Sequence, residues 1–152
     1  EVGGPGYRCF ELEKPEHSPH YEYEKFEPLR PQSLRRTIYR FVVRSQPDPW
    51  ITCLDGADSS QSTPRRNETQ TALQALTLFN SRFNLEVAYQ SAQRIKQTDS
   101  QENDIIDELI QIWYQRAASD AERSMLIEYA DKHGWASVIR LLMNTNEFVF
   151  VE

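Results

Sequence analysis

The chain has 152 residues, 39% of them hydrophobic and 11% aromatic, with a net charge of −6. A single domain's length with this apolar content excludes wholesale disorder, and the acidic balance excludes sequence-independent nucleic-acid binding, which needs a basic surface to neutralise phosphates. No apolar run reaches the roughly 20 residues of a membrane helix, and no basic stretch followed by an apolar one marks a signal peptide, so no membrane insertion is expected.

Breakers dominate residues 1–33, where "GGPG" is followed by Pro15, Pro19, Pro28 and Pro31. Such punctuation prevents a long helix, so this segment is expected to be irregular or extended, anchored by Tyr7, Phe10, Tyr21, Tyr23 and Phe26. "RRTIYRFVVR" at 35–44 is rich in β-branched and aromatic residues with period-two alternation, which predicts a strand, although Leu34, Ile38, Phe41 and Val42 also satisfy helical spacing. "SQPDP" then breaks the chain before "WITCLD" at 50–55, a second strand candidate; together they suggest a small antiparallel element.

From residue 70 the period becomes helical. Leu73 and Leu76 lead a short helix, and Leu85, Ala88, Ala92 and Ile95 recur at three- and four-residue steps in the next. After the polar linker "QTDSQEN", Ile105, Leu109, Ile112 and Trp113 define an amphipathic helix. Ser119 and Glu122 fit a capping box that opens a helix with Leu126, Tyr129 and Ala130 inward, stopping at Gly134. Trp135, Val138, Ile139, Leu142 and Met143 form the last helix, and "EFVFVE" is expected to close the chain in extended form. The predicted fold is therefore mainly α, with α+β as the alternative: one domain over 1–152, irregular or extended over 1–69 with a small β element, then a bundle of about four or five helices over 70–152.

Charge is spread unevenly along this frame. Residues 30–66 hold seven of the 17 basic residues (Arg30, Arg35, Arg36, Arg40, Arg44, Arg65 and Arg66) against Asp48, Asp55 and Asp58, which puts that segment at +4 and the remainder at −10. Either an anionic partner meets this segment or its arginines pair internally. Cys9 and Cys53 are the only cysteines. A disulfide between them and two separate buried thiols are both compatible with the sequence, and neither cysteine has neighbours at zinc spacing.

Several blocks carry a family resemblance: "GGPGY", "SPHYEY" at 18–23, "RRTIYRFVVRSQPDP" at 35–49, "PRRNETQTALQALTLFN" at 64–80 and "LLMNTNEFVFVE" at the end. In this order they resemble a planctomycete family, a domain of unknown function forming the C-terminal part of large exported proteins that often also carry a c-type cytochrome-like domain. The resemblance implies the tail of a longer extracytoplasmic protein, periplasmic or at the cell surface, with no assigned activity. This chain departs from the family at Thr63, where a cysteine commonly precedes the twin arginine, and at "RAASDAE", where a Gly-Arg-x-Pro step is usual. The first departure weakens a disulfide inferred from the family.

Candidate site residues fall in two places. Asp55 and Asp58 with nearby serines offer oxygen ligands, but their spacing matches no calcium loop, and Asp and Ser are also turn formers and helix caps. Arg65 and Arg66 stand before Asn67, Thr69 and Thr71, any of which caps the next helix; guanidinium groups beside a helix start make an anion pocket, or one arginine pins the loop to an aspartate. His17, His20 and Tyr21 form the second group, in which Pro19 argues against the helix that a histidine metal pair needs, so a surface aromatic and histidine cluster is the plainer reading. No nucleophile elbow is recognisable. The expected function is a non-catalytic structural or interaction module of a larger exported bacterial protein, without cofactor or metal, meeting upstream domains of its own polypeptide or another protein. The alternatives are an anion- or carbohydrate-binding module at the Arg65/Arg66 loop, taking a small anion or sugar, and a hydrolase fragment completed by upstream residues.

Overall fold

A computed structural model describes residues 3–13, 17–31, 34–65, 67–98 and 101–150. Two units, 1–74 and 75–152, gather most of their contacts internally. The fold is mainly helical, with a small two-stranded sheet near the N-terminus.

In the first unit, β1 (Glu11–Glu13) pairs antiparallel with β2 (His20–Glu22), Leu12 opposite Tyr21. Tyr7, Phe10, Phe26 and Val43 are buried, and Phe10 meets the rings of Tyr21, Tyr23 and Phe41 edge-on at 5.0, 5.7 and 6.0 Å. Edge-to-face packing of this kind adds to area burial, so the expected aromatic anchors do build this unit's small core. Arg35 stacks 4.2 Å from the Tyr39 ring and donates to the Gly3 and Pro5 carbonyls, while the Gly3 N–H donates to the Tyr39 hydroxyl. That clamp holds Gly3 at φ +84°, a conformation glycine adopts without steric cost.

Two strand expectations are corrected here. Segment 35–44 forms a 3-10 turn at Thr37–Tyr39 and then runs extended, its one described backbone ladder contact with the N-terminal segment being a parallel bridge between Tyr7 and Arg40. Alternation alone does not make a strand; it needs a neighbour to complete the ladder. Residues 50–55, the second candidate, fold instead as α1 (Pro49–Cys53), because Asp48 caps the Trp50 N–H at 2.8 Å and Pro49 takes the first helical position.

The helical part contains α2 (Ala72–Asn80), α3 (Arg82–Lys96), α4 (Glu102–Tyr114), α5 (Asp120–His133), α6 (Trp135–Leu142) and the single turn α7 (Asn146–Val149). Within the second unit α6 packs on α3 and α5, and α4 packs on α5. Ile106, Ile110, Leu126, Val138 and Ile139 are fully buried at its centre, each stabilising by about 1.5–3 kcal/mol through removal from water. Ser119 and Glu122 close the predicted capping box. Gly134, at φ +81°, ends α5 and starts α6. The one buried polar side chain among the described residues, Asn84, donates to the Leu78 carbonyl at 2.6 Å. The extended ending expected for "EFVFVE" is corrected over its described part: Thr145 caps the Phe148 N–H, and residues 146–149 turn helically.

Candidate functional site

Residues 54–71 link α1 to α2, and their local chemistry follows from the two helix ends. Beyond α1, Leu54 closes the helix, Asp55 takes φ +56°, and the Gly56 N–H returns to the Ile51 carbonyl at 2.8 Å, a Schellman-type stop. At Gly56 an added Cβ would stand 2.1 Å from Ile51 Cγ2 and 2.7 Å from the Ile51 carbonyl oxygen, so only glycine fits. At the other end Thr71 and Gln74 form a reciprocal cap: the Gln74 N–H donates to Thr71 Oγ1 at 3.2 Å, and the Thr71 N–H to Gln74 Oε1 at 2.8 Å.

Asp55 joins the two ends. Its Oδ2 accepts from the Thr69 N–H and hydroxyl, each at 2.7 Å, and from Gln74 Nε2 at 3.0 Å. Gln74 Nε2 also donates to the Thr69 hydroxyl at 2.8 Å. Asp58 is used locally instead: its Oδ1 accepts from the Ser60 N–H and hydroxyl, and its Oδ2 from Gln61. The Ser60 bonds lower the Asp58 pKa by stabilising the carboxylate. Both aspartates thus hold backbone and side-chain donors of their own loop.

Arg65 is exposed and makes no hydrogen bond or ion pair among the described residues; Arg66 lies outside them. His17 is exposed, and His20 Nε2 stands 3.5 Å from Glu22 Oε1. Tyr21 packs on Phe10, and its backbone carbonyl accepts from Gln46 at 3.0 Å. The residues of the second group therefore serve the N-terminal core or face solvent, and no described contact brings them to the Asp55 loop. Among the described residues no three His, Cys, Asp or Glu side chains converge as a metal site.

Cys9 and Cys53 are partly buried thiols and not a disulfide. Burial raises the Cys9 pKa, against the opposing charge and hydrogen bond of Arg40. The sequence reading missed the ion pair beside it. Arg40 and Asp48, only 11% and 10% exposed, pair at the base of α1, and the same Asp48 caps that helix. The signal was Asp-Pro directly before an apolar run, an N-cap followed by proline at the first helical position. Also missed was Arg116, which bridges Glu122 on α5 and Glu147 on α7, each at 2.6 Å at the shortest. Arg116 and then the Ser119 N–H and hydroxyl hold the Glu122 carboxyl down at about 2.

These arrangements position chain segments. In comparison with known proteins, a family model described as PSD1, protein of unknown function (DUF1553), matches residues 1–130. No curated protein and no solved structure matches the chain.

Proposed function

The chain belongs to PSD1, a protein family of unknown function, and from that premise we propose that it is a non-catalytic interaction module of a larger exported bacterial protein, docking on another part of that polypeptide. The planctomycete and cytochrome context, and the extracytoplasmic setting, belong to this proposal through the sequence resemblance. The supporting observation is the surface. Large apolar side chains stand exposed in both units, Ile38 and Phe41 in the first, Ile112 and Met125 in the second, while the polar residues of the Asp55 loop bond to one another. Exposed apolar groups in such number favour burial against another protein surface.

The test is association in trans. The chain and the remainder of its polypeptide, produced separately and mixed, should co-elute in size-exclusion chromatography; separate elution at micromolar concentration contradicts the reading. A second reading, anion binding at the 65–66 loop, draws on the exposed Arg65, whose guanidinium is open to a sulfate or phosphate. A rise in melting temperature with added sulfate, lost in Arg65→Ala, would favour it.

A further inference from the structure

We propose that segment 34–44 is the docking surface and that its occupant is an acidic protein segment carrying apolar side chains; this rests on the interaction-module reading. Leu34, Ile38, Phe41 and Val42 are 59, 82, 50 and 54% exposed, a dense run of solvated large apolar groups. The 3-10 turn at Thr37–Tyr39 fixes Ile38 outward at its middle position, and the bridge from Tyr7 holds the extended stretch that follows. The patch is preformed, which lowers the ordering cost of binding.

Its charges identify the partner. Several cations elsewhere have acids: Lys25 pairs with Glu13, Arg30 with Glu11, Arg116 with Glu122 and Glu147, Arg123 with Asp107 and Asp120. Arg40, inside the segment, is met by Asp48. Arginines around the exposed apolar run lack such pairs among the described residues. Arg36 is exposed, and its side chain makes no hydrogen bond or ion pair among the described residues. Arg8 lies over the Phe41 ring at 5.6 Å, and Arg44 reaches only the Ser60 carbonyl at 3.4 Å. Three guanidinium groups without described carboxylate partners thus frame an apolar patch in a chain whose net charge is −6. A surface combining these features is complementary to carboxylates interleaved with Leu- or Phe-like side chains, since guanidinium forks take carboxylates bidentately and the apolar centre excludes water. Nucleic acid fits poorly, because the whole-chain charge is repulsive and Phe41, the one aromatic among the four exposed apolar groups, already has Arg8 over its ring.

The probe is a fluorescent Glu-Leu-Glu-Phe-Glu-Leu-Glu peptide, with one counterpart carrying Gln for Glu and another carrying Ser for the apolar residues, read by anisotropy against the intact chain. The parent peptide should bind best and more weakly as salt rises. Ile38→Ser and Arg36→Glu, both at exposed positions that leave the melting temperature unchanged, should each weaken binding about tenfold. The proposal is overturned if the parent binds no better than its counterparts, if both variants bind like wild type, or if vesicles of mixed phosphatidylcholine and phosphatidylglycerol bind where the peptides do not. In the trans-association experiment, co-elution retained in the Ile38→Ser/Arg36→Glu double variant also overturns this surface while leaving the interaction-module reading intact; failure of wild-type association strikes that reading itself.

Discussion

Asp55 and Thr69, fourteen residues apart, meet through two hydrogen bonds of 2.7 Å from the threonine's backbone and hydroxyl to one carboxylate oxygen. This contact closes the loop between α1 and α2, and it makes an otherwise polar, ligand-like stretch a joint. Asp55→Gly removes the acceptor while keeping the positive φ accessible. We expect a loss of about 1–2 kcal/mol, toward the lower end because the group is partly solvated, measured by urea denaturation. An unchanged midpoint would mean the contact does not hold the loop.

Gly56→Ala tests the same joint sterically. The added methyl group has backbone and side-chain atoms of Ile51 in its way, so α1 must lose its stop or shift. A destabilisation of about 1–3 kcal/mol is expected, measured by urea denaturation. Stability equal to wild type would show that the turn differs from the one described.

The helical core makes a contrast within α4. Ile106→Ala empties a fully buried site and should cost about 2–5 kcal/mol, whereas Ile112→Ala, at a 57% exposed position, should stay within about 0.5 kcal/mol. Equal losses in thermal melts would contradict the register of this helix.

Glu122 predicts an acid limb. Its folded pKa of about 2 lies below its ordinary value of 4.5, so the stability it contributes is present above pH 4.5 and is lost as pH falls toward 2. Glu147, also lowered by Arg116, acts in the same direction. Melting temperatures of wild type should fall across that window, and Glu122→Gln should be less stable at neutral pH with a shallower acid limb. Parallel pH profiles for the two proteins would remove the Arg116 clamp from the account.

Where the helices lie was legible because local signals agreed. The three- and four-residue spacing around Ala88, Ala92, Leu126 and Val138 gave the inward faces, and Ser119-Glu122 marked a start that the structure reproduces. In α4 the spacing was read one step askew: Ile105 and Leu109 are buried as expected, but Ile106 and Ile110 complete the core while Ile112 faces water. The pairs Ile105-Ile106 and Leu109-Ile110 recur four residues apart and already mark the buried face, to which Ile112 does not belong. Segment 35–44 failed as a strand for a non-local reason, since pairing depends on what the interrupted N-terminal segment can offer. "DPWITC" failed for a local one: β-branched composition was weighed above the Asp48 cap that decides the helix. In the candidate site, Asp58's local turn was readable from its neighbours, whereas the bonds from Asp55 to Thr69 and Gln74 span fourteen and nineteen residues and carry no periodic signature.

Hydrogen–deuterium exchange tests the central claim most directly, by comparing this chain alone with the same residues inside its complete polypeptide. Docking through the exposed apolar and cationic surface predicts amide exchange slowed at least about tenfold across 34–44 in the complete protein, with rates in the α4–α6 core unchanged. Identical exchange across 34–44 in the two forms would contradict it.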